Sequence, residues 1–148
     1  MTTIELSATI YFILFALSFF IFSVQRTALL IEREFSQSYV SPSYSIYQMS
    51  DHKSGSIFIP SWAPTCGVTL LLLKVATLFF IFNFLGWGYA LCFITADIVL
   101  HAILPIPSKW LKWVFFSRAM KISQDKSLDA QCISNAMVII INKSRYLN

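Results

Sequence analysis

Charged side chains are scarce: 12% of 148 residues, against about 25% in soluble globular domains. Cysteine is scarce too. Cys66, Cys92 and Cys132 are far apart and form no C-x-x-C pair. That pattern excludes a disulfide framework and a zinc site, and it leaves the three thiols as small apolar packing groups. The two histidines, His52 and His101, have no second histidine or cysteine at ligand spacing, so no metal is expected. There are four glycines and no phosphate-binding loop, and no nucleophile–base set stands out. The chain therefore reads as a non-enzyme with no cofactor. Its net charge is +4, but the bases are not gathered on one nucleic-acid-binding face, so no nucleic-acid partner is expected.

Apolar sequence is what the chain has in quantity. Hydrophobic residues make up 57% of it, including fourteen Phe, and the mean hydropathy is +0.68. A helix needs about 20 mostly apolar residues to cross the hydrocarbon core of a bilayer. Ile4 to Val24 meets that length. A secretory signal peptide would begin with a basic segment and end at a small-residue cleavage site. Here Glu5 stands near the start and no A-x-A follows, so the run is expected to remain as an anchor. Gln25–Gln37 prolongs it as a helix near the membrane surface.

The second run, Cys66 to Pro107, is too long for one crossing. As a single helix it would reach about 60 Å, twice the core thickness. It must fold back, and Gly86, Trp87 and Gly88 mark the turn. The glycines tolerate helix-ending backbone angles, and Trp87 suits the polar interface. Spans are expected at 66–85 and 88–104, with Pro105 and Pro107 stopping the second.

The expected fold is an all-α integral membrane protein with three transmembrane helices, an N-terminal span plus a tight helical hairpin. Four segments follow: 1–37, the first span with its extension; 38–65, a cytoplasmic loop; 66–107, the hairpin; and 108–148, a basic interfacial segment and an amphipathic C-terminal helix. In the loop, Tyr44 and Ile46 face Ile57–Ile59 across a polar turn, a pattern that fits either a small β-hairpin or a Ser-rich coil. After Pro107, Lys109, Trp110, Lys112, Trp113 and Arg118 mix bases with rings, which suits a lipid headgroup layer. In the tail, Leu128, Cys132, Ala136 and Ile140 form one helical row, and Ile133, Met137 and Ile141 form another. That apolar face needs cover from the loop, the bilayer or another protein, and Ser127 is a candidate N-cap. Arg26, Arg33, Lys53 and the tail bases place the loop and C-terminus in the cytoplasm. The location expected is a bacterial inner membrane or a plasma membrane.

Ionisable groups inside spans usually face protein or a wet cavity, and there are three here: Lys74, Asp97 and His101. Lys74 lies 13 residues before Trp87, Asp97 lies 10 after it and His101 14 after it. In an antiparallel hairpin Lys74 and Asp97 are then offset by about 4.5 Å along the axis, a gap a lysine stem can cover. Asp97 and His101, four apart, share a helix face. The trio is either a register-fixing ion pair or part of a proton or ion path. Gly88, Cys92 and Ala96 form a small-residue stripe for helix packing. Between Ile10 and Val24 only Tyr11, Ser18 and Ser23 are polar, so the first span is expected to meet mainly lipid or apolar partners. The function expected is an accessory or partner-binding subunit of a membrane complex, in contact with lipid and with other membrane subunits or further copies of itself. The alternative is an oligomeric channel or transporter component that uses Asp97, His101 and Lys74.

Overall fold

The computed structural model describes residues 2–38, 57–124 and 128–147. They form five helices: α1 (Thr3–Ser38), α2 (Trp62–Leu85), α3 (Trp87–Ile103), α4 (Ser108–Ser123) and α5 (Leu128–Lys143). Among the described residues there is no strand. The Tyr44–Ile46 arm and the turn of the expected β-hairpin, with His52 and Lys53, lie outside them, as does Ser127. Ile57–Ile59, expected as the other arm, is a series of bends.

The start of α1 is a reciprocal cap. The Thr2 N–H donates to Glu5 Oε2 at 2.8 Å and the Glu5 N–H donates to Thr2 Oγ1 at 3.3 Å, which satisfies two of the amides that a helix N-terminus leaves unpaired. With no glycine or proline inside its 36 residues, α1 runs unbroken for about 54 Å. That is well beyond the roughly 30 Å of a hydrocarbon core, and the extension expected over Gln25–Gln37 is continuous helix.

Proline placement delimits α2 and α3. Pro60 precedes α2, and Pro64 falls in its first turn, where a missing N–H costs nothing. Only Gly86 separates α2 from α3, at φ 91° and ψ 174°, a backbone region open essentially to glycine alone. The turn is thus one residue rather than three, and Trp87 and Gly88 already belong to α3. The Trp87 ring meets Phe82 edge-on across the break, at 4.6 Å between centroids. At the far end Leu104 is extended, as a residue before proline prefers. Two helices, α1 and α2, are long and apolar enough to cross a membrane. α3, at 17 residues, is shorter than the usual span. The candidate spans therefore number two, or three when α3 and α4 count together as one broken span.

The chain divides into two compact units: Met1–Phe22 with Thr65–Ile106, and Ser23–Pro64 with Pro107–Asn148. The first has a small core of Tyr11, Ile81 and Ala90, with Leu78, Phe82, Leu85 and Phe93 against it. Its outward faces are apolar: Leu72, Phe79, Phe84, Ile98 and Ile103 are all exposed. The second unit is built the usual way round. Phe58 sits fully buried between Phe35 and Phe115, both edge-on, at 5.6 and 6.2 Å. The Ile57 N–H donates to Glu32 Oε1 at 3.5 Å, and the Ile57 carbonyl accepts from Arg118 Nε at 3.1 Å. Ser134 Oγ donates to the Ala119 carbonyl at 2.8 Å, joining α5 to α4.

Among the described residues, α4 covers α5. The buried face of α5 includes the whole expected row Ile133, Met137 and Ile141, together with Ala130, Ser134 and Ile140, while Leu128 and Cys132 of the other expected row are exposed. In α4, Leu111, Val114, Phe115, Ala119 and Ile122 are buried in protein, and Trp110 and Trp113 are exposed.

The backbone at Gly86 sets a test. A Cβ there would meet no neighbour, yet φ is positive. Gly86→Ala should therefore lose about 1–3 kcal/mol from backbone strain alone. Gly88→Ala, in open space within a helix, should be neutral or gain about 0.5–1 kcal/mol. Reversible unfolding in mixed detergent micelles measures both. Equal effects at the two positions would refute a one-residue turn.

Candidate functional site: a buried charge cluster between three helices

Within the first unit, α1, α2 and α3 each supply polar groups to one cluster. Lys74 Nζ lies 2.8 Å from Asp97 Oδ1 and 2.7 Å from Oδ2, and its third contact is Ser18 Oγ at 3.4 Å. The two side chains of the ion pair are 11% and 21% exposed. An ammonium has three protons to donate and no acceptor, so these contacts satisfy Lys74 completely. Ser18 Oγ donates in turn to the Phe15 carbonyl at 3.1 Å, which turns an oxygen lone pair toward the lysine. The rings of Tyr11 and Phe15 stand beside Nζ, their centroids 5.7 and 5.8 Å away, within the range of a cation–π contact.

The register is closer than counting from Trp87 suggests. With the chain reversing at Gly86, Lys74 lies 12 residues before the turn and Asp97 11 after it. The offset shrinks from about three residues to one, and the lysine reaches across without slanting along the helix.

His101 sits one turn beyond Asp97. Its Nδ1 is 2.9 Å from the Asp97 backbone carbonyl and 3.6 Å from Asp97 Oδ1. A carbonyl only accepts, so Nδ1 carries the proton of that hydrogen bond. The longer distance lies outside hydrogen-bond range. The imidazole is ringed by Phe15, Phe19 and Phe22 at 4.8, 5.4 and 6.1 Å, all edge-on. Lys74, Asp97 and His101 are thus one cluster, but Asp97 gives both carboxylate oxygens to the lysine and only its backbone to the histidine.

Ser18 and Tyr11 stand out in the sequence as polar but were not assigned to the cluster, because neither side chain is charged at neutral pH. Their signal was positional. Tyr11, Phe15, Ser18 and Phe22 recur at spacings of four, three and four, which is one face of a helix. α1 turns Tyr11, Phe15 and Ser18 of that face to its own chain.

The small-residue stripe lies elsewhere. Gly88, Cys92 and Ala96 are exposed, and α3 meets its neighbours through Ala90, Phe93 and Asp97. Ala96 borders a shallow groove of about 240 Å³ between α1 and α3, with Tyr11, Phe12, Phe93 and Asp97 among its walls. All three cysteines are exposed, so within the chain they are not the packing groups expected. Of the residues expected at the membrane surface, Lys109, Trp110 and Trp113 are exposed, while Lys112 and Arg118 are half-buried in the second unit. Among the described residues no three His, Cys, Asp or Glu side chains converge as a metal site.

The cluster is tested by a double-mutant cycle. Removing one partner strands the other charge, so Lys74→Met or Asp97→Leu alone should cost about 3–5 kcal/mol. The double substitution should recover most of that loss, because an apolar pair in place of an ion pair is often neutral or better. Additive losses in detergent unfolding would mean that the pair is not closed within the chain. Set beside known proteins, the chain matches no family, no curated protein and no solved structure.

Proposed function

We propose that this chain is an integral membrane protein that crosses the bilayer with α1, α2 and the shorter α3, and serves as an accessory, partner-binding subunit of a membrane complex. The observation that carries the reading is the way the first unit distributes its polarity. Its charges cancel inside the bundle through Lys74, Asp97 and Ser18. Its outward faces, such as those of Phe79, Phe84 and Ile98, are exposed and apolar. Large exposed apolar surfaces mark membrane or protein contacts, and satisfied internal charges leave those surfaces as what the bundle offers to its surroundings. Arg26, Arg33 and the bases of α4 and α5 fall in the second unit, which by the positive-inside rule is the cytoplasmic part and the part available to a soluble partner.

A second reading has one observation in its favour. Asp97 borders the groove between α1 and α3, so in an oligomer it would adjoin a neighbouring subunit, and with His101 and Lys74 it would form part of a proton or ion path.

Extraction in mild detergent followed by mass determination separates the two. The accessory reading expects a particle heavier than the 16.9 kDa chain that contains a second polypeptide species. A homo-oligomer whose proton flux in proteoliposomes disappears in Asp97→Asn, with assembly intact, would establish the alternative. A lone chain without flux would defeat both.

A further inference from the structure

The second unit contains a cavity of about 190 Å³ between the start of α2 and the middle of α4. Ser61 and Trp62 form one wall; Trp113, Ser117, Arg118 and Lys121 form the other. Two cations, two hydroxyls and two indoles therefore converge, and among the described residues no carboxylate lines the space. Arg118 is held in place by the bond from its Nε to the Ile57 carbonyl, which fixes the plane of its guanidinium at the cavity. A guanidinium in a fixed orientation matches the paired oxygens of a phosphate, and a lysine beside it adds a point charge. Trp62 and Trp113 are exposed, and indoles at a membrane boundary sit at headgroup level. Trp62 is also the first residue of α2. A phosphate held there stands at headgroup depth for a helix that becomes apolar within its next turns.

We propose that this cavity binds the phosphate headgroup of an anionic phospholipid, with Arg118 and Lys121 on the phosphate, the Ser61 and Ser117 hydroxyls donating to its oxygens, and the two indoles flanking the glycerol and upper acyl chains. The inference rests on the membrane reading above. It goes beyond general anchoring of α4, because it assigns one lipid class to one pocket.

The test uses the full chain carrying Trp87→Phe and Trp110→Phe, so that Trp62 and Trp113 are its only tryptophans. It is reconstituted into phosphatidylcholine vesicles with a minor share of either brominated phosphatidylglycerol or brominated phosphatidylcholine. Brominated phosphatidylglycerol is expected to quench the tryptophans more strongly per lipid. Lys121→Gln should reduce that preference about five-fold, the contribution of one base beside an anionic lipid. Lys143→Gln, with the same change of net charge outside the cavity, should leave it intact. Equal quenching by both lipids, or an equal loss in the two variants, overturns the site while leaving the membrane reading in place. Quenching by neither lipid overturns the membrane reading as well.

Discussion

The contact between Lys74 and Asp97 is the constraint on which the first unit depends. In lipid, apolar helices gain little from meeting each other, because the acyl chains they displace are as apolar as their own side chains. On the membrane reading proposed above, leucine- and phenylalanine-rich faces such as those of α2 and α3 would therefore slide past one another at small cost. The ion pair removes that freedom. A slip of one turn moves a side chain about 5.4 Å along the axis, enough to part the charges, and each charge left alone in a span costs about 2.5–3.5 kcal/mol. One register satisfies both, and it is the register produced by reversing the chain at a single glycine with a positive φ. Gly86 and the ion pair are two ends of one specification: the turn sets where the helices meet, and the charges penalise every other alignment.

The first helix carries that specification to a third element and out of the bundle. Ser18 completes the lysine's hydrogen bonding, and Tyr11, Phe15, Phe19 and Phe22 press on Lys74, Phe93 or His101. Past Phe22 the same helix enters a unit with the opposite polarity. There Ala28, Ile31 and Phe35 are buried, with Phe35 edge-on to Phe58 and Phe58 edge-on to Phe115, and the core is sustained by the hydrophobic effect in the ordinary way. One continuous helix thus belongs to two units held together by different forces. This is why a 36-residue run without glycine or proline matters more here than its composition.

Much of this could be read from residue order. The two glycines near Trp87, the prolines after Leu104 and the placement of Lys74 against Asp97 indicated the reversal, because each reflects a backbone or charge constraint that acts locally. The turn itself was misplaced by one residue, since two nearby glycines look alike until one of them adopts a positive φ. Ser18 was missed because a lone serine in an apolar run ordinarily bonds its own backbone; only its spacing from Tyr11 and Phe15 distinguished it. The face of α5 was legible only in part: Ile133, Met137, Ile140 and Ile141 are buried as expected, and Leu128 and Cys132 are not. Leu128 and Cys132 extend an apolar row in sequence, but Ala130 and Ser134 are small enough to let α4 approach, and the Ser134 bond to Ala119 fixes that side inward. Periodicity ranks faces by hydrophobicity, whereas packing also selects for small volume. Ile57–Ile59 fitted either a strand or a coil, since isoleucine and phenylalanine favour a strand beside a Ser-rich segment; its backbone bonds to Glu32 and Arg118, distant side chains that no local pattern reveals.

The arrangement around Asp97 also bears on the choice between a structural cluster and a conducting one. A relay needs Asp97 to exchange a proton with His101, and the carboxylate is committed to Lys74 at 2.7 and 2.8 Å while its nearest approach to Nδ1 is 3.6 Å. That nitrogen's proton is directed at a backbone carbonyl instead. Conduction would require the lysine contact to open first. If opening costs what breaking a buried pair does, about 3–5 kcal/mol, the open form is populated at roughly one part in a hundred to one in several thousand. Such a state could support flux only when something else, such as a second acid or a partner's polar side chain, takes over the lysine. On physical grounds the conducting reading is therefore contingent on assembly, whereas the structural one is complete within a single chain.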